Sequence, residues 1–194
     1  NSENPVICVP SGNFGNICAG ILAHHRGLPV EHFIAACNVN DVVPEYLRTE
    51  ILKPKETVAT ISNAMDVGDP SNFVRILELF EKEFNQVKSK LSGYTIDDEE
   101  TLKTIERVEK DYGYVLDPHG AVAFVALEKY LAENGGKGFF LETAHPVKFP
   151  DSVEKATGKS VEIPKSLEEL MRQEKFTTEI NPQYEELKEF LLKK

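Results

Sequence analysis

The sequence is poor in cysteine, in basic charge and in long apolar runs. Its three cysteines, Cys8, Cys18 and Cys37, are odd in number, sit in apolar contexts and include no C-x-x-C pair. They read as reduced core thiols of an intracellular, cytoplasmic protein, with no metal site expected. Lysine and arginine total 22 against 32 aspartates and glutamates, a formal net charge of -10. That balance argues against nucleic acid or an anionic membrane as a partner. It still permits a small anion, because a few backbone N–H groups bind phosphate whatever the global charge. No apolar run approaches a membrane span, and no basic-then-apolar leader, repeat or low-complexity tract is visible.

What remains is ordinary globular material: 194 residues, 41% of them hydrophobic, enough for a sizeable core. The sequence opens on Asn1, only a few residues before what reads as a central strand. The expectation is therefore the later part of a longer chain.

Short continuous apolar runs at Val6–Val9, Phe33–Cys37, Val58–Ile61 and Phe139–Leu141 suit strands buried on both faces, as in a parallel sheet. A helix from about Phe14 to His25, closed by Gly27 and Pro29, makes residues 6–37 the size of a βαβ unit. Asp69-Pro70, Asp117-Pro118 and Asn181-Pro182 each offer a capping side chain followed by proline at a first helical position. Phe73, Ile76, Leu77 and Phe80 then share one helical face, and Ala121–Leu127 is apolar nearly all round, stopping at Asn134-Gly135-Gly136. Ser166-Leu167-Glu168-Glu169 reads as a capping box, and Tyr184, Leu187 and Leu191 as a terminal amphipathic helix. The stretch from Pro70 to Tyr114 is charged, helix-periodic at Leu102, Ile105 and Val108, and shows no strand signal.

The segment Ser11-Gly12-Asn13-Phe14-Gly15-Asn16 follows the first strand and opens the first helix. The first N–H groups of a helix lack internal partners, and glycine lets an anion come close to them. The spacing is neither G-x-G-x-x-G nor G-x-x-x-x-G-K-[ST], so a dinucleotide or nucleoside triphosphate is disfavoured. From spacing alone, a phosphate cradle and a plain turn capped by Ser11 or Asn13 are both open.

S-G-N-F-G-N followed by A-G resembles the phosphate loop of the threonine synthases, pyridoxal-phosphate enzymes of fold type II. Three further stretches resemble that family in the same order. Asn63-Ala64-Met65-Asp66 leading into Ser71-Asn72-Phe73 is similar to S-x-A-M-D-I…S-N-F-x-R. Asp117-Pro118-His119-Gly120-Ala121 is similar to D-P-H-T-A, and Thr143–Phe149 to T-A-H-P-A-K-F. The resemblance implies an α/β fold: the parallel-sheet, three-layer portion of a fold type II enzyme with a helical insertion and a helical C-terminal tail. The organisation expected is a phosphate-loop segment over 1–68, the insertion over 69–115, a returning helix and strand over 116–150, and the tail over 151–194.

The same resemblance implies that Gly12, Asn13, Phe14, Gly15 and Asn16 hold the phosphate of pyridoxal 5'-phosphate, and that the Thr143 hydroxyl faces its ring nitrogen. Asn16 stands where many relatives carry Asp. Without the family, Thr143 is a strand-end residue with a locally satisfied hydroxyl. Lys148 and His145 are candidate contacts to a substrate anion, or else a snorkelling surface lysine and a loop histidine. His119 reads as structural, and Asn63, Met65 and Asp66 as loop packing. Nothing resembles the family's Schiff-base lysine, which lies upstream of the phosphate loop. The resemblance thus implies the C-terminal part of an enzyme converting O-phospho-L-homoserine and water to L-threonine and phosphate, with no catalytic lysine here and no activity alone. Its partner would be the N-terminal part of the same enzyme. The rivals are another fold type II lyase such as a threonine dehydratase, and a non-catalytic threonine-synthase-like binding protein.

Overall fold

A computed structural model describes residues 4–174 and 176–193. Two compact units are present, Asn1–Val161 and Glu162–Lys194.

The larger unit is built on β1 (Val6–Pro10), β2 (His32–Cys37), β3 (Leu91–Thr95) and β4 (Gly138–Phe140), all parallel, in the order β3-β2-β1-β4. Cys8 stands opposite Ile34 on one side and Phe140 on the other. Side chains alternate across the pleat, so the two central strands feed two cores. Val9, Phe33, Ala35 and Cys37 pack with α1 (Gly15–His25), α2 (Val42–Thr49), α3 (Phe73–Leu79) and α4 (Phe84–Lys90), through Ile17, Ile21, Tyr46, Phe73, Ile76 and Val87. Val6, Cys8, Ile34 and Ala36 pack on the opposite face against Val122, Ala123, Ala126 and Leu127 of α6 (Pro118–Asn134). Behind it, α5 (Asp98–Tyr112) adds Ile105 and Val108, and α7 (Pro150–Thr157) adds Ala156. This is the three-layer parallel α/β arrangement expected. Cys8 and Cys37 are buried free thiols, whose burial pushes both well above the usual range; Cys18 is half-buried.

Five local expectations need correction. Val58–Ile61 is not a strand: Val58 N–H donates to Asn40 Oδ1 at 2.8 Å and Thr60 N–H to Asp66 Oδ2 at 2.9 Å, so side chains take the place of a ladder. The segment 69–115, read as strandless, contains the edge strand β3, whose ladder runs from Phe33↔Leu91 to Cys37↔Thr95. The helix after Asp69-Pro70 begins only at Phe73, and that after Asn181-Pro182 is α9 (Tyr184–Leu192), capped by Gln183. Ser166 lies inside α8 (Lys165–Met171), whose cap is Pro164, so no capping box forms. Asp117 is different: it caps α6 as read, accepting from the N–H groups of His119 and Gly120.

The smaller unit consists of α8 and α9, and α9 has no buried residue. Among the described residues no helix is long and apolar enough to cross a membrane.

Candidate functional site

β1 ends at Pro10 and α1 begins at Gly15, so the turn between them emerges at the carboxyl end of a central strand. In open parallel sheets that end is where ligands bind. Ser11 is buried and pinned, its N–H donating to Ala36 O at 2.8 Å and its hydroxyl to Val9 O at 2.9 Å. Beyond it the backbone is unclaimed. Among the described residues, the N–H groups of Gly12, Asn13, Phe14, Gly15 and Asn16 find no protein acceptor; intrahelical bonding begins with Cys18 N–H to Phe14 O at 3.0 Å.

Phe14 shapes this row. Its backbone is left-handed, φ 63 and ψ 14, costly for a residue with a Cβ. Its ring is only 3% exposed and meets Phe73 edge-on at 5.7 Å. Apolar burial thus holds a left-handed backbone among successive N–H groups without acceptors, the kind of turn at a helix N-terminus that can receive an anion.

The two glycines differ. A Cβ on Gly12 would lie 2.6 Å from Met65 Cα and 3.0 Å from Ala64 O, so bareness here serves the protein's own packing. At Gly15 the nearest atom would be Asn72 Nδ2 at 3.5 Å, an ordinary contact. Within this loop, Gly15 is thus not bare because of the protein's own packing, and Gly12 is. Asn13 Oδ1 accepts from Ser71 N–H at 2.7 Å and from its hydroxyl at 3.0 Å, tying the loop to the turn before α3. Asn16 donates from Nδ2 to Pro10 O at 2.9 Å and accepts Ile17 N–H on Oδ1. An ionised Asp at 16 would lack that donor.

The loop opposite Gly12 is held by polar groups that the sequence reading left as packing. Asn38 Nδ2 donates to Thr60 Oγ1 and to Asp66 Oδ1, both at 2.8 Å, and Asn40 Nδ2 to Asn38 Oδ1 at 2.9 Å. Asp66 also accepts the Thr60 hydroxyl at 2.7 Å. Asn38 and Asn40 gave no signal beyond being polar residues at a strand end.

The second half of the site follows β4. Thr143 lies three residues past the strand and is exposed, so the local satisfaction considered for its hydroxyl does not occur among the described residues. His145 Nδ1 accepts Val147 N–H at 3.2 Å, leaving Nε2 to carry the proton; Lys148, in the same short 3-10 turn (Pro146–Lys148), is exposed.

His119, the second residue of α6, is buried. Its Nε2 accepts Ala64 N–H at 3.2 Å, and since that amide can only donate, Nδ1 carries the proton and donates to Asp117 Oδ1 at 2.6 Å. Asp117 is fully buried. Burial works against its charge, but the His119 hydrogen bonds and that from Glu142 hold it below the ordinary carboxylate range. Glu142 was not singled out in the sequence. The residue is exposed as a whole, yet its carboxyl end rests on α6, and that local burial with the Asp117 carboxyl beside it raises it to about 8. A Cβ on Gly120 would come within 2.6 Å of Glu142 Cδ. The one available signal was Gly120 itself, standing where the D-P-H-T-A pattern has Thr.

With the nest and its opposite wall described, comparison with known proteins is decisive. A family profile described as "Pyridoxal-phosphate dependent enzyme" matches residues 2–139. The chain belongs to that family. A second profile, "Threonine synthase, C-terminal", matches residues 120–191. The chain is 45% identical over 194 residues to a threonine synthase of Buchnera aphidicola, covering 99% of this chain and 44% of that relative. The crystal structure of threonine synthase from Escherichia coli is 43% identical over 98% of this chain and 44% of its own, with a TM-score of 0.89. A pyridoxal-phosphate-bound threonine synthase from Brucella melitensis is 31% identical over 97% of this chain and 46% of its own, TM-score 0.84. The chain thus spans less than half the length of these family members.

Proposed function

We propose that this chain is the C-terminal part of a threonine synthase and holds two ends of its cofactor. The carrying observation is the row of unclaimed N–H groups from Gly12 to Asn16, set at the start of α1, with no backbone pressed against the Cβ position of Gly15. Pyridoxal phosphate fits such a cradle: a dianion meets five donors and the positive end of a helix dipole.

When bound, the cofactor supplies an electron sink for carbanion chemistry at the substrate. The rest is the work of this chain's residues. The nest binds phosphate, and Asn16, neutral and tied to Pro10, adds no repelling charge beside it. The Thr143 hydroxyl would face the ring nitrogen as a donor without holding a proton on it, which would leave the ring a weaker electron sink. Nε2–H of His145 and the ammonium of Lys148 are the donors offered to the phosphate of O-phospho-L-homoserine. The products are L-threonine and phosphate, after loss of phosphate from the γ carbon and addition of water at the β carbon. No lysine among the described residues is buried, in keeping with a Schiff-base lysine supplied by the N-terminal part of the enzyme. The two buried free thiols support a cytoplasmic setting.

Borohydride reduction of the 194-residue chain with pyridoxal phosphate, followed by peptide mass analysis, tests the division of labour. Scattered substoichiometric labelling is expected; one lysine labelled stoichiometrically, Lys148 above all, would overturn it. The activity itself is read as phosphate release from O-phospho-L-homoserine by the full-length protein.

A further inference from the structure

A continuous run of contacts joins the two halves of the site across α6. Gly12 is pressed against Met65 and Ala64. Ala64 N–H donates to His119 Nε2 and His119 Nδ1–H to Asp117. Asp117 N–H reaches Glu142 Oε1 at 3.4 Å, and the two carboxyls meet at Gly120, whose N–H donates to Asp117 Oδ2 at 3.4 Å and whose missing Cβ would lie 2.6 Å from Glu142 Cδ. Glu142 is the neighbour of Thr143 in the chain.

Two carboxyl groups this close hold one proton between them, because two negative charges in contact repel. The His119 Nδ1–H and two N–H groups of α6 already stabilise the ionised Asp117, so the shared proton resides on Glu142. We propose that Glu142 is a positioning residue whose protonated carboxyl, bonded to Asp117 and lying over the bare Cα of Gly120, ties the segment carrying Thr143 to the N-terminus of α6. Through His119 the same tie reaches the wall behind the phosphate loop. Inside the site, the tie sets where the Thr143 hydroxyl stands; when Glu142 ionises, repulsion from Asp117 releases the segment. Besides Asp117 at the cap of α6 and His119 within it, Tyr114 faces Glu142, and burial with the Glu142 and Asp117 carboxyls pushes it up. The consequence for the cofactor rests on the Thr143 reading above; the tie itself does not.

The test uses the full-length protein labelled with 13C at glutamate Cδ, the Glu142 resonance being the one missing from E142Q. In the cofactor-free protein that resonance should titrate near pH 8; titration in the ordinary carboxylate range overturns the proposal. In the holoenzyme, cofactor absorption should change with the same midpoint. E142Q, whose amide still donates to Asp117, should keep the low-pH spectrum to pH 9, while E142A should show the high-pH spectrum throughout. A spectrum that titrates identically in E142Q also overturns the proposal. Titration of the resonance near pH 8, with a T143A spectrum like wild type, would uphold the tie and sink the Thr143 assignment instead.

Discussion

Met65 occupies the space that a side chain at Gly12 would need, its Cα 2.6 Å from where that Cβ would lie. Two glycines of one loop are therefore bare for different reasons, and substitution should separate them. Gly12→Ala forces backbone against backbone and should cost about 1–3 kcal/mol, the usual range for overpacking. Gly15→Ala meets only Asn72 at 3.5 Å and begins a helix, so unfolding should be nearly unchanged while affinity for pyridoxal phosphate falls. Urea unfolding and cofactor titration of the full-length variants check both. Equal destabilisation would mean the space over Gly15 is not a ligand's.

Asn16→Asp removes the donor to Pro10 O and places a charge beside the nest. A loss of about 0.5–1.5 kcal/mol in stability is expected for the hydrogen bond, together with cofactor affinity that weakens as pH rises through the aspartate's titration. An Asp variant binding as tightly as wild type at pH 8 would show that the amide is incidental.

Asp66 gathers Asn38, Asn40, Thr60 Oγ1 and Thr60 N–H onto one carboxylate. Asp66→Ala leaves the half-buried Thr60 N–H without an acceptor, at about 1–3 kcal/mol, while Asn38 and Asn40 keep Ser62 and Val58. A fall in unfolding free energy within that range is expected. Asp66→Asn should lose less. If D66A unfolds with the wild-type midpoint, the network is not what holds this loop.

Stability should also depend on pH through Glu142. Its folded-state value, about 8, lies above its ordinary 4.5, so the folded chain binds this proton more tightly than the unfolded one. Its contribution is complete below pH 4.5 and is lost as pH rises through about 8. Asp117, held low, works oppositely: its contribution is present above its ordinary 3.8 and is lost as pH falls through its depressed value. Urea midpoints between pH 5 and 9 should decline in wild type and flatten in E142Q.

Much of the fold was legible because continuous apolar runs and capping residues are local signals. Val6–Val9, Phe33–Cys37, the first helix and the Asp117-Pro118 cap all stand as read. β3 was not legible, because Leu91-Ser92-Gly93-Tyr94-Thr95 is a half-buried edge whose apolar pattern is weak; it is a strand because β2 lends it a ladder. Val58–Ile61 misled for the converse reason: apolar side chains stand on a backbone satisfied by Asn40 and Asp66. In the candidate site, the loop was visible as glycine beside a strand. The carboxyl pair was not, since Asp117 and Glu142 stand 25 positions apart and meet only once the chain between them has folded.

The sheet order has a consequence for how the molecule opens. β4 is three residues long, sits at an edge, and pairs with a strand more than a hundred residues earlier in the chain. Its ladder brings little enthalpy and closes a very long loop, so it should form late and fray first. The nest belongs to the interior strand β1, flanked on both sides. Amide hydrogens of Phe139–Leu141 should therefore exchange with solvent well before those of Ile7–Val9, and one wall of the site would breathe while the other stays shut.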